Sequence, residues 1–486
     1  MSSAAVPGTI AAHLDVVCPL SPRTARSIRH PGRPGHASRR AELPAGYPPG
    51  VAEPRTTRFA ALDGLRIVGA LMVVTTHVGF SSGLAIHGPY AGLLARLDAG
   101  VPLFFVVSGF LLWRPHVRAR LGSATAEQTA GAADLRTYLR HRAFRILPAA
   151  WVAVLAAYLL LQHDRIGVVH YLRVATMSQI YVPSPSVPGL TQMWSLSTEV
   201  AFYLVLPLAA WGMARLPRTT WLTWSELALV VLACLPAVSL AWIVLTHDNV
   251  SGMTNYWLPE YLGWFGGGMA LAVWHEGRLA GELPRTAVDD LVASPGTLWA
   301  AAGALYLLLT TRLAGPYGLD RATLLEAGTK NLGYTVLAVL VVLPCIAAEP
   351  SSSRVVAALG SRPARLLGDL SYGVFVYHLV VLALVERAIG HKPFTGDFLV
   401  LWPLTVVGSV LVAWVSHRYL EEPIMRRARR RDPRRSRPPA VPTARVTATR
   451  DARRDQRDGS PPAAHEAAPA AHEAAPAAAR SPQPQR

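Results

Sequence analysis

An ionisable side chain inside a long apolar run is costly in a bilayer, so each one that occurs is a candidate for function. In RFAALDGLRIVGALMVVTTHVGF at 58–80, Arg66 and His77 stand eleven residues apart. On a helix that is almost three turns, which places both on one face about 16 Å apart along the axis. Asp63 lies three residues before Arg66, the spacing of a helical ion pair. The stretch YLRHRAFRILPAAW at 138–151 sets Arg142 and Arg145 at i and i+3, with His141 at i−4 to Arg145. Two guanidiniums on one face can each grip a polyphosphate bidentately. Anchoring at the membrane surface would use the same residues. Glu199 is the sole carboxylate of MWSLSTEVAFYLVLPL at 193–208, flanked at i±4 by Ser195 and Tyr203. Such a carboxylate can orient an imidazole or move a proton, or simply hydrogen-bond between helices. In GDLSYGVFVYHLVVL at 368–382, Ser371, Phe375 and His378 share a face, and Asp369 reads as a helix cap. Glu260, behind Pro259, has no evident partner.

The elements that must hold these groups are long apolar helices. Of the 486 residues 51% are apolar and only 16% charged, against roughly 25% charged in soluble domains. Mean hydropathy is +0.28. A cytosolic globular enzyme and a disordered hub are both excluded by that balance. Ten apolar runs, at about 60–80, 98–113, 143–162, 195–214, 226–246, 256–274, 296–311, 332–348, 369–387 and 398–417, are each near the ~20 residues that cross a bilayer. The expected fold is therefore all-α: a polytopic integral membrane protein of about ten transmembrane helices. Loops of at most about thirty residues leave no room for an independent domain, so any chemistry must be built within the bundle.

The net charge of +17 sits at the ends: residues 1–58 carry 8 basic and 3 acidic residues, and 418–486 carry 16 and 8. Residues 1–57 and 426–486 read as disordered tails around a membrane domain at 58–425. The second tail contains RRARRRDPRRSRPP and a doubled AAHEAAP whose prolines exclude a coiled coil. Without interleaved aromatics the basic tails suit an anionic lipid surface and not nucleic acid. With the N-terminus inside, inner segments hold 38 of 47 basic residues and outer loops 8. The positive-inside rule then places both termini in the cytoplasm, in a multi-pass protein of the cell membrane. No cleavable signal peptide is expected, since residues 1–58 lack an apolar stretch of 7–15 residues. The three cysteines, Cys18, Cys234 and Cys345, form no metal or disulfide pattern.

In order along the chain, these stretches resemble the membrane acyltransferase 3 family, which moves acyl groups from coenzyme A onto hydroxyls. LDGLR at 62–66 with His77 matches its Arg-x10-His signature, and GVPLFFVVSGFLL at 100–112, which contains Ser108, its second span. Arg142 and Arg145 match an Arg-x-x-Arg element. MWSLSTEVAFY at 193–203, with Trp194, Glu199 and Tyr203, SYGVFVYH at 371–378, and YLEEP at 419–423 complete the set. The likeness covers about 58–425. His141 stands where a further Arg is common, Pro102 and Val200-Ala201 replace acidic or amide residues, and Glu422 replaces a Lys before Pro423.

The resemblance implies an acyl-CoA co-substrate, no bound cofactor or metal, and a hydroxyl-bearing acceptor such as a glycan, a glycolipid or a glycosylated small molecule like a macrolide. It makes His77 the general base and Glu199 the group that orients it. Arg142 and Arg145, with Arg66 nearby, would hold the coenzyme's phosphates. Asp63, Ser108, Trp194, Tyr203, Ser371, Tyr372 and His378 would line the substrate sites. An acyl-histidine relay is the mechanistic alternative. A proton-coupled transporter is the alternative from another class, since buried His, Glu and Arg also suit proton relays.

Overall fold

A computed structural model describes residues 59–430, apart from 124–134, 162–165, 184, 218, 250–252, 319 and 348–352. The expected first tail, 1–57, and residues 431–486 of the expected second tail, 426–486, lie outside the described residues. The last helix, Glu422–Arg430, runs across the boundary expected at 425.

Among the described residues every element is helical. The long ones are α1 (Ala60–Ser81), α2 (Gly100–Arg120), α3 (Leu135–Leu160), α4 (Met193–Ala214), α5 (Trp224–Ala233) and α6 (Leu235–Thr246). They continue as α7 (Leu262–Leu279), α8 (Pro295–Leu309), α9 (Leu324–Ala347), α10 (Arg362–Ile389), α11 (Phe398–Ser416) and α12 (Glu422–Arg430). Among the described residues each of the ten apolar runs is mostly helical. Among the described residues eight segments are long and apolar enough to cross a membrane, with α5 and α6 forming one of them, interrupted at Cys234 ahead of Pro236. The expected sixth and seventh spans fall short of the rest: α7 carries Glu276 and Arg278 in its last turn, and α8 has 15 residues. The chain is a multi-pass membrane protein, and its perimeter agrees. Leu245 of α6 is 79% exposed and Leu399 of α11 86%, an apolar surface that water would not tolerate but acyl chains would.

Small residues bring the site-bearing helices together, as membrane packing requires. A Cβ on Gly100 would overlap the carbonyl oxygen of Gly69, so α1 and α2 touch backbone to backbone; Gly268 meets the Val106 carbonyl likewise, joining α7 to α2. A stack of Phe202, Phe265 and Phe105, with centroids 4.0 and 4.4 Å apart, ties α4, α7 and α2 together. Pro102 lies in the first turn of α2, directly after a 3-10 turn at Arg96–Ala99. α10 begins earlier than its apolar run. Ser361 caps it by accepting from the Ala364 N–H, so Asp369, expected as the cap, lies inside the helix. α10 ends at Gly390, whose φ of 70° suits the absent side chain.

Candidate functional site

α1 and α10 pack side by side and bring together two histidines 301 residues apart in the chain. His378, fully buried, places Nδ1 2.6 Å from the carbonyl oxygen of Phe375 and Nε2 3.2 Å from His77 Nδ1. His77 Nδ1 also lies 2.9 Å from the Val73 carbonyl oxygen. A carbonyl only accepts, so His378 carries its proton on Nδ1 and offers a lone pair at Nε2. His77 Nδ1–H donates to that lone pair and to Val73. The remaining nitrogen of His77, Nε2, holds a lone pair with no partner among the described residues. This tautomer follows from the hydrogen-bond network. It is the form a general base needs.

Toward the N-terminal end of α1 lies a cavity of about 180 Å³ lined by Arg66, Ser108, Arg142, Arg145, Glu199 and Tyr203 among others. Three arginines from α1 and α3 thus meet around one carboxylate. Glu199 accepts from Ser108 Oγ at 2.6 Å and from Tyr203 Oη at 2.7 Å, both on the same oxygen, Oε1. Arg142 lies over the Tyr138 and Tyr203 rings, and its buried Nε has no partner among the described residues. An excess of guanidinium with unmet donors suits an anionic ligand.

Toward the other end of α1 a second cavity, of about 760 Å³, reaches His77. Its walls mix rings and hydrogen-bonding groups: Trp194, Tyr256, Tyr261 and Trp264 beside Asp98, Glu260, Lys330 and Asn331. Lys330 Nζ pairs with Asp98 Oδ2 at 2.6 Å, and Tyr334 donates to the other oxygen of Asp98. Asn331 donates to the Glu260 carbonyl at 2.9 Å, while its own amide oxygen is buried and unpartnered among the described residues.

Several expectations change. Glu199 does not touch His77; it belongs to the arginine-lined cavity, and His378 takes the orienting position. Ser371 is buried and donates to Gly368 within α10 at 2.7 Å, because a hydroxyl sealed in a helix interface bonds its own backbone; it lines neither cavity. Tyr372 lines the arginine-lined cavity but ties its hydroxyl to the Ile146 carbonyl at 2.6 Å. Asp63 lines neither cavity and acts electrostatically on Arg66, as do Glu199 and Arg145. Trp194 falls in the second cavity. His378 also lines neither cavity; it touches His77, which lines the second, and Phe375, which lines the first. Asp98, Lys330 and Asn331 were not singled out from the sequence, because charged and amide groups at helix ends are ordinary there. Among the described residues no cluster of His, Cys, Asp and Glu could hold a metal ion.

A family model described as an acyltransferase domain matches residues 59–418. The chain is 29% identical to the exopolysaccharide production protein ExoZ of Rhizobium meliloti, over 68% of its own length and 91% of that protein. It is 24% identical to the peptidoglycan O-acetyltransferase OatA of Listeria monocytogenes, over 76% of its length but only 57% of that protein. Identity to the acyltransferase MdmB of Streptomyces mycarofaciens is 26%, over 78% and 95% respectively. No solved structure matches the chain.

Proposed function

The chain belongs to the acyltransferase family whose model spans residues 59–418, and from that premise we propose that it moves a short acyl group, acetyl foremost, from acyl-CoA to a hydroxyl of a carbohydrate. The observation that carries this reading is the placement of His77. It lines one cavity with a free Nε2, three turns along α1 from Arg66, which lines the other. Family membership removes the ground for the transporter alternative.

Arg66, Arg142 and Arg145 would hold the coenzyme's phosphates. The arm from its diphosphate to its sulfur has the contour of roughly four extended residues, about 15 Å. That matches the ~16 Å from Arg66 to His77 along the helix, so the thioester would lie beside the imidazole. The acceptor would enter the larger cavity, where rings can stack on a sugar and the Asn331 amide oxygen can accept from one of its hydroxyls. His77 Nε2 would then take the proton of the attacking hydroxyl. The C–O bond forms, the C–S bond breaks, and the coenzyme leaves as thiolate, to which the proton passes. His378 Nε2 holds His77 by its Nδ1–H throughout and stabilises the imidazolium. Glycan O-acetylation is the acceptor reading favoured by the relatives named for peptidoglycan and exopolysaccharide. The basic end of the bundle faces the cytoplasm on this reading, where acyl-CoA is made.

Proteoliposomes holding the protein and acetyl-CoA labelled in the acetyl group test it. Acceptor-dependent release of CoA thiol with label appearing as an ester on an added oligosaccharide is the expected result. Uptake of label without thiol release would overturn the reading.

A further inference from the structure

The two cavities meet at a shared wall residue. Val101 lines both, and on the arginine side Phe104 and Phe375 stand next to it. The Phe104 and Phe375 rings meet edge to face at 5.7 Å. Phe375 in turn lies 5.9 Å from the ring of His378, which is 5.0 Å from that of His77. These side chains therefore sit between the arginines and the two histidines. Phe104 is backed by α1 itself: a Cβ on Gly69 would be 3.4 Å from its ring. Gly69 lies between Arg66 and His77 on that helix. Because Gly69 and Gly100 pack backbone against backbone, the helices cannot give, and the width of the passage is set by three side chains.

We infer that Val101, Phe104 and Phe375 form a neck that selects the donor by the width of its acyl group. The inference rests on the proposed donor reading. A donor whose phosphates stay with the arginines must pass its acyl end through this neck first. A straight acyl chain is no wider than the ethylene unit next to the sulfur. A branch at the carbon beside the carbonyl, or an aromatic ring, is wider. The neck offers only apolar surface, so it discriminates by shape, and rigid apolar pockets typically discriminate roughly 10- to 200-fold per methylene-sized misfit. The bulky dimethyl group of the coenzyme's arm lies at its phosphate end and stays in the arginine-lined cavity, short of the neck.

The test compares butyryl-CoA with isobutyryl-CoA, equal in composition and different in width, by initial rates of acceptor-dependent thiol release in proteoliposomes. The wild-type protein should prefer butyryl-CoA at least tenfold in kcat/KM. Phe104→Ala should reduce that preference at least tenfold, and Val101→Ala, a smaller change, should reduce it in the same direction. Butyryl transfer in each variant reports that the protein is folded. If Phe104→Ala transfers butyryl but keeps the wild-type preference, the neck is overturned; if Phe104→Ala is inactive, an unchanged preference in Val101→Ala overturns it. Failure of the donor reading looks different, because wild-type protein would then transfer from neither thioester nor from acetyl-CoA.

Discussion

Replacing His378 by Phe isolates what the second histidine does. The ring is buried and would be exchanged for one of similar shape, so packing between α1 and α10 survives. What is lost is the lone pair 3.2 Å from His77 Nδ1, together with the Nδ1–H given to the Phe375 carbonyl, which stays bonded within its helix. A hydrogen bond to a charged partner is worth about 1.5–3 kcal/mol, and on the proposed mechanism His77 becomes charged when it takes the acceptor's proton. Because the Val73 carbonyl stays at 2.9 Å and keeps part of the bond, the lower end applies: about 1.5 kcal/mol, roughly tenfold in rate. A phenyl ring in this position offers no acceptor to hold the His77 proton on Nδ1, so the fall should appear in kcat while the donor KM stays within about twofold. His378→Gln presents an amide oxygen that can accept, and should recover part of the rate. The assay is steady-state thiol release at saturating acceptor, with thermal unfolding as a check on folding. A folded His378→Phe variant with wild-type kcat would show that His378 only joins two helices.

Replacing Arg142 and Arg145 together by Ala should weaken acyl-CoA binding by about 3 kcal/mol or more, at about 1.5–3 for each charged contact; titration calorimetry reads it, and unchanged affinity would assign both residues to membrane anchoring. Gly268→Ala, which drives a methyl into the Val106 carbonyl, should cost about 1–3 kcal/mol or more and lower the unfolding midpoint; an unchanged midpoint would refute the close packing of α7 on α2. Reporter fusions after Arg120 and at the C-terminus should read cytoplasm and one at position 184 the outside, whereas an outside C-terminus would put the arginines on the side without acyl-CoA.

Much of the site was legible because one helix carries its axis. Arg66 and His77 are eleven residues apart on α1, and helical geometry alone sets their face and separation. Arg142 and Arg145 were legible for the same reason, and they do line the same cavity. Pairing across helices was not legible. Sequence reasoning gave His77 the carboxylate of Glu199, yet that carboxylate bonds Ser108 and Tyr203, and the partner of His77 comes from α10. Nothing local distinguishes these outcomes, because they depend on how glycine-lined helices pack. Ser371 shows the converse: its place in a motif suggested a substrate contact, but a neighbouring carbonyl satisfies its hydroxyl. The larger cavity escaped notice because Asp98 and Lys330 are 232 residues apart, and each alone is an unremarked charge at a helix end.

The central claim is that His77 moves a proton. His77→Gln tests it most directly, because Gln keeps a donor toward His378 and Val73 and stays neutral, yet cannot take up a proton. Measured by single-turnover transfer from labelled acetyl-CoA, with insertion and donor binding confirmed, the Gln variant should fall at least about 10²-fold below wild type. Transfer within a few-fold of wild type would contradict the account.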